Sequence, residues 1–129
     1  METIYDKVLN ARKNHICNYC GLIIEKNGLY ERQVNKYNGE VYTWKSHPSC
    51  TKLASDLIMY DYQDEGLTQE DFIEYVHSIY DDYFPNIMNK PSFEEKLNYL
   101  KNINWTFKKS EFDNSMYPIP NQNFNIQNN

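Results

Sequence analysis

Cys17-Asn18-Tyr19-Cys20-Gly21 and His47-Pro48-Ser49-Cys50 are the two stretches on which the reading of this chain turns. Each holds two metal-ligating residue types with two residues between them. That gap lets a turn, or the first turn of a helix, aim both side chains at one ion roughly 2.0–2.3 Å away. Together they supply three thiols and an imidazole, a closed tetrahedral zinc set. The chain has 3 cysteines, an odd number that cannot be fully paired within one molecule and a poor disulfide frame for a reducing compartment. Cys17, Cys20, His47 and Cys50 are therefore the expected ligands of one structural Zn2+. His15, two residues ahead of Cys17, is expected at the surface or behind a ligand rather than on the metal.

The 26 residues between the pairs leave room for a β-hairpin. Leu22-Ile23-Ile24, a turn at Asn27-Gly28, Leu29 to Val34, a second turn at Asn38-Gly39 and Glu40 to Trp44 predict three short strands joined in sequence. Pro48 suits the first turn of a helix, and Leu53, Leu57 and Tyr60 recur at helical spacing after it. Knuckle, hairpin and then a helix carrying the last two ligands is the order of a treble-clef zinc finger.

With Ile24-Glu25-Lys26 after the knuckle and Trp44 shortly before His47, the pattern C-x2-C-x26-H-x2-C resembles the poly(ADP-ribose) polymerase-type zinc finger and the first half of a LIM domain. The resemblance covers about residues 15–62. It implies that Cys17, Cys20, His47 and Cys50 are the four ligands and that the metal is structural. The gap between the pairs is a little shorter than in the polymerase type and longer than in the LIM type, and no second ligand set follows.

Beyond the finger the pattern turns helical. Thr68 caps a predicted helix running to about Phe84, with Phe72, Val76, Ile79 and Tyr83 on one face and Glu70, Glu74, His77 and Asp81 striped along the other. His77 is expected to be a plain exposed histidine. Ser92 and Glu95 form a capping box for a second helix, whose apolar face is Phe93, Leu97, Leu100 and Ile103. From about Thr106 the chain is Asn-rich and punctuated by Pro, with Tyr117-Pro118-Ile119-Pro120 as an extended element, and a loose tail is expected. The fold class read from the sequence is α+β: a small zinc-stapled hairpin, a helical half and an extended C-terminal tail. The divisions are residues 1–62 (N-terminal segment plus finger), 63–105 (acidic helical half packed on it) and 106–129 (tail).

Charge is unevenly spread over the 129 residues. Residues 1–52 carry 5 acids and 8 bases, and residues 53–129 carry 13 acids and 5 bases, within a net charge of -5. Nine carboxylates and no Lys or Arg fall between Leu53 and Asn89. An acidic face built from Glu70, Glu74, Asp81 and Asp82, with Tyr80 beside it, reads either as a solvated surface or as one that docks on a basic protein surface by imitating a phosphate backbone. The 17 Asn against 2 Ala and 2 Arg fit a low-GC bacterium or its phage. Small size and the lack of catalytic machinery suit a phage or mobile-element inhibitor of a host nucleic-acid-processing or defence protein. The alternative is direct nucleic-acid binding by the finger through Arg32, Lys36 and Lys45, joined by Arg12, Lys13 and Lys52, with Trp44 stacking on a base. No Gly-rich phosphate loop or nucleophile elbow is visible, so an enzyme is not expected. No apolar run reaches the roughly 20 residues of a membrane span, and a cytoplasmic protein is expected.

Overall fold

The computed structural model describes residues 2–62 and 67–121. The Asn38-Gly39 turn forms as its sequence predicts, with both residues at positive φ (53° and 82°). That is the primed geometry whose twist matches its flanking strands. It joins β4 (Leu29–Tyr37) to β5 (Glu40–Ser46), with Tyr37 opposite Glu40 and Glu31 opposite Ser46. The other edge of β4 is taken by β1 (Glu2–Asn10), giving an antiparallel sheet in the order β1-β4-β5.

This corrects the expected strand pairing. Ile23–Ile24 (β3) does not turn at Asn27-Gly28 onto Leu29; it pairs back onto His15–Ile16 (β2), on either side of the cysteine knuckle. The knuckle needs a hairpin of its own to bring Cys17 and Cys20 to one point, and that hairpin consumes β3. The Asn27-Gly28 bend is still present, with Asn27 at φ 73° and its N–H donated to the Ala11 carbonyl at 2.8 Å. It delivers the chain to β1 instead.

Helix α1 (Pro48–Asp56) follows directly from β5 with Pro48 in its first turn. A 3-10 turn at Met59–Tyr62 ends this segment. Helix α2 (Gln69–Tyr83) opens on Thr68, whose side chain accepts from the Asp71 N–H in a capping box. Helix α3 (Phe93–Lys101) opens on the Ser92–Glu95 capping box foreseen from its sequence. The buried stripe of α2 is Phe72, Val76 and Tyr80, an i, i+4, i+8 row, with Ile79 at its margin. Tyr83 lies outside that stripe and donates its hydroxyl to the Pro118 carbonyl at 2.7 Å.

The described part of the tail is not loose. Strands β6 (Trp105–Lys109) and β7 (Met116–Pro120) form a hairpin, Phe107 opposite Pro118. Trp105 donates its indole N–H to the Leu100 carbonyl at 3.1 Å and stacks edge-on against Tyr83 and Phe84. Residues 122–129, the last part of the expected tail, lie outside the described residues, as do Asp64 and Glu65 of the acidic run. One cluster of buried residues runs from Cys17, Cys20 and Cys50 through Leu53, Met59 and Phe72 to Leu97 and Ile103. The cysteine-bearing region and the helices therefore share a core. No helix among the described residues is long and apolar enough to cross a membrane.

Candidate metal centre

Cys17 and Cys20 sit at the two ends of a turn that Gly21 closes, its N–H donating to the Cys17 carbonyl at 2.9 Å. Gly21 stands at φ +78°, and a Cβ there would lie 2.7 Å from the Gln69 side-chain nitrogen. The left-handed backbone is what favours glycine, since the Gln69 side chain could shift aside. Asn18, within the turn, sews it to β5: its N–H donates to the Lys45 carbonyl at 2.7 Å and its side-chain oxygen accepts the Lys45 N–H at 2.8 Å. That pairing brings the knuckle beside His47, the residue at which β5 passes into α1. Cys50 then follows one helical turn on.

The ligating atoms of Cys17, Cys20, His47 and Cys50 all lie within 4.8 Å of one another. Nδ1 of His47 is 3.4 Å from the Cys20 sulfur and 3.7 Å from the Cys50 sulfur. A tetrahedron with Zn–S near 2.3 Å and Zn–N near 2.0–2.1 Å has sulfur–nitrogen edges of about 3.6 Å. The donor set and its spacing are thus compatible with one zinc. The other ring nitrogen of His47 lies 3.1 Å from the Ile23 carbonyl, the contact that fixes which nitrogen faces a metal. The Cys20 and His47 backbone N–H groups both donate to the Cys17 sulfur, at 3.5 and 3.4 Å, dispersing thiolate charge.

Electrostatics give the same account. Hydrogen bonds from Cys20 and then Cys50 hold the Cys17 thiol far below its ordinary range, whereas the contacts to Cys17 and Cys20 push Cys50 far up. His47 is raised to about 10, chiefly by its contact with Cys17 and then Cys20. Three thiols and an imidazole this close cannot all shed their protons unless a cation takes their place. All three sulfurs are buried.

His15 is not a ligand. Its ring packs on Tyr30 at 4.8 Å, and Lys45 Nζ is 3.4 Å from its Nδ1. Ile23, Asn18 and Gln69 support the centre without any signal in the sequence, because each acts through a backbone group or an amide that is common in turns.

The expected partner-binding residues come apart. Tyr80 is only 1% exposed, packed edge-on to Tyr99 at 5.7 Å, so it is core and not surface. The reason is the angular position of the buried α2 stripe, which passes through residue 80. Asp81 receives Lys96 Nζ at 2.9 Å, and the same amine is 3.1 Å from Nδ1 of His77. The acidic stripe therefore has a cation supplied by α3, and His77 is half-buried beside Phe93. Glu70, Glu74 and Asp82 remain exposed.

The nucleic-acid residues also divide. Trp44 is half-buried, packing edge-on against Tyr19 at 5.0 Å with its indole nitrogen buried. Alternation along β5 puts Trp44 on one sheet face and Lys45 on the other. Arg32 is the cross-strand partner of both Lys7 and Lys45 on that other face, with Tyr5 and Lys36 further along it. No family model, curated protein or solved structure matches the chain.

Proposed function

We propose that the chain is a non-enzymatic, zinc-stapled binding protein whose ligand is nucleic acid, held on the open face of the β1-β4-β5 sheet. The observation that carries this reading is the row Lys7–Arg32–Lys45, three cations directly opposite one another across three adjacent strands. Like charges in register destabilise a sheet, so the row favours a ligand that brings negative charge to it. Lys7 and Arg32 also flank the Tyr5 ring, at 5.5 and 5.6 Å from its centre. Neither ion pair among the described residues, Lys52–Asp56 and Lys96–Asp81, involves a cation of this face. Cations interleaved with tyrosine on a flat surface suit a phosphate chain with bases beside it. The order of knuckle, sheet and α1 supports the treble-clef likeness, with the metal as a staple.

The test is fluorescence polarisation of labelled 20-nucleotide single strands and duplexes with the zinc-loaded protein. Three neutralised phosphates predict a salt slope of about -2 on single strands, hence roughly 20-fold weaker binding at 200 than at 50 mM salt. Replacing Lys7, Arg32 and Lys45 together by Gln should abolish binding and leave zinc content unchanged. Absence of binding, or binding indifferent to salt, overturns the reading.

A second reading keeps the acidic helix as the binding surface of an inhibitor from a phage or mobile element. It is favoured by the cleft of about 360 Å3 that Glu70, Ile73 and Glu74 form beside His77, with Glu70 and Glu74 exposed. Its partner is a host nucleic-acid-binding protein with a basic groove. Glu70→Lys with Glu74→Lys and Asp82→Lys should abolish capture of that protein from nuclease-treated lysate. Unchanged capture by the variant leaves the helix as a solvated face.

A further inference from the structure

At one end of the basic sheet face lies an open cavity of about 710 Å3, where β1 runs out and the chain turns toward the metal knuckle. Its lining is of mixed chemistry in a particular arrangement. Leu9 and Ala11 give an apolar wall, and the rings of Tyr30 and His15, packed together at 4.8 Å, give an aromatic one. Asn10 and Asn27 bring two amides, each able to donate and to accept. Arg12 and Lys13, both exposed, stand at its mouth, and Lys45 Nζ reaches His15 from the neighbouring strand. Among the described residues, no carboxylate lines it.

We propose that this cavity holds one unstacked nucleotide of a single-stranded nucleic acid, the base against the His15 and Tyr30 rings and its phosphate on Arg12 and Lys13. The inference rests on the sheet-face reading and specifies its ligand. Leu9 and Tyr30 are cross-strand partners two residues along from the Lys7–Arg32–Lys45 row, so cavity and row share one face about 7 Å apart. The offset runs along the β-strands, at right angles to the row, so a nucleic-acid strand that follows β1 and β4 passes over Lys7 and Arg32 and then the cavity. Volume argues for a whole nucleotide, since sites for small organic ligands span about 300–1,000 Å3, whereas a lone phosphate needs no apolar wall and no ring. Amides at the rim match the donor and acceptor edge of a base, and a guanidinium matches phosphate with two parallel hydrogen bonds. Bases held in a duplex stay stacked and cannot enter, so the cavity selects single strands.

The experiment titrates zinc-loaded, isotope-labelled full-length protein with ribo- and deoxyribonucleoside 5′-monophosphates, the matching nucleosides and inorganic phosphate, read by amide and His-ring NMR shifts. The proposal expects saturable shifts from the monophosphates, centred on residues 9–15 and 27–30. Nucleosides and inorganic phosphate should each bind at least tenfold more weakly. Arg12→Ala with Lys13→Ala, both at exposed positions, should lower monophosphate affinity at least tenfold while the zinc-dependent spectrum stays in place. His15→Ala should weaken the monophosphate and leave phosphate unaffected. The ribo and deoxyribo arms tell RNA from DNA. Inorganic phosphate binding as tightly as the nucleotides overturns the base site, and shifts at the Lys7–Arg32–Lys45 row alone overturn the cavity. Single strands that bind with the expected salt slope while no monophosphate perturbs the cavity overturn this inference and leave the sheet-face reading standing. Loss of strand binding with retained monophosphate binding does the reverse.

Discussion

Around Cys17 the backbone is held by hydrogen bonds to sulfur, a glycine at positive φ and four donors gathered at one point. Around Tyr80 it is held by rings: Tyr80 and Phe84 both meet Tyr99, and Phe84 meets Trp105, with centroids 5.1 to 6.5 Å apart. Both regions contribute to one buried cluster, but they resist different insults. The knuckle of the metal end is flanked by two-residue strands, so its order is expected to depend on an ion. The helical end buries Phe72, Val76, Leu97 and Leu100 and carries two capping boxes, so its order depends on packing and caps. A small chain thus uses chemistry where its sequence offers donors and volume where it offers side chains.

Removing the metal should separate the two regions most. Zinc in sites of this type contributes about 10–16 kcal/mol of apparent folding free energy, so chelation or Cys50→Ser should unfold residues 15–50 and drop zinc from one per chain to none. Elemental analysis and amide hydrogen exchange check this, with exchange protection retained in α2 and α3. Collapse of the helices at the same chelator concentration would make the two regions a single unit. The pH dependence has a definite sign. In the metal-free centre His47, raised to about 10, carries a proton at neutral pH, and the free thiols of the unfolded chain are protonated there as well. The metal-bound state holds fewer protons than the unfolded state, so stability rises with pH up to the thiol range and zinc is lost as pH falls. A zinc-release titration against pH measures the loss directly.

Next in size, Phe72→Ala at a fully buried α2 position should cost about 3–5 kcal/mol in chemical denaturation and leave zinc stoichiometry at one. Loss of zinc in that variant would show that the metal end leans on the helix. Gly21→Ala tests the seam between the regions. It imposes a left-handed backbone on Ala and pushes a Cβ toward Gln69, so a loss of about 1–2 kcal/mol and weaker zinc retention in competition with a chelator are expected. The smallest effect is Ser92→Ala, which removes the α3 cap at a cost of about 1 kcal/mol and should leave the metal end's exchange rates unchanged.

Short-range chemistry accounts for everything that was legible in the residues alone. Each of the two ligand pairs, the Asn38-Gly39 turn, the Pro48 helix start, both helix N-termini and the apolar positions of α3 depends on neighbours within about four residues. A close approach in sequence leaves few other conformations for such groups. Three features were decided only by tertiary structure. β1 pairs with a strand that begins only after residues 11–28, so nothing local to Glu2–Asn10 names its partner, and the metal knuckle rather than the Asn27-Gly28 bend determines what β3 does. Tyr80 went to the interior and Trp44 to a half-buried position because a helix has a continuous choice of buried angle and a strand has two faces, and contacts with Tyr99 and Tyr19 made the choice. Lys7, Arg32 and Lys45 are 25 and 13 residues apart along the chain, and only the β1-β4-β5 register sets them side by side. Long-range pairing is what converts a scattered excess of positive charge into a surface.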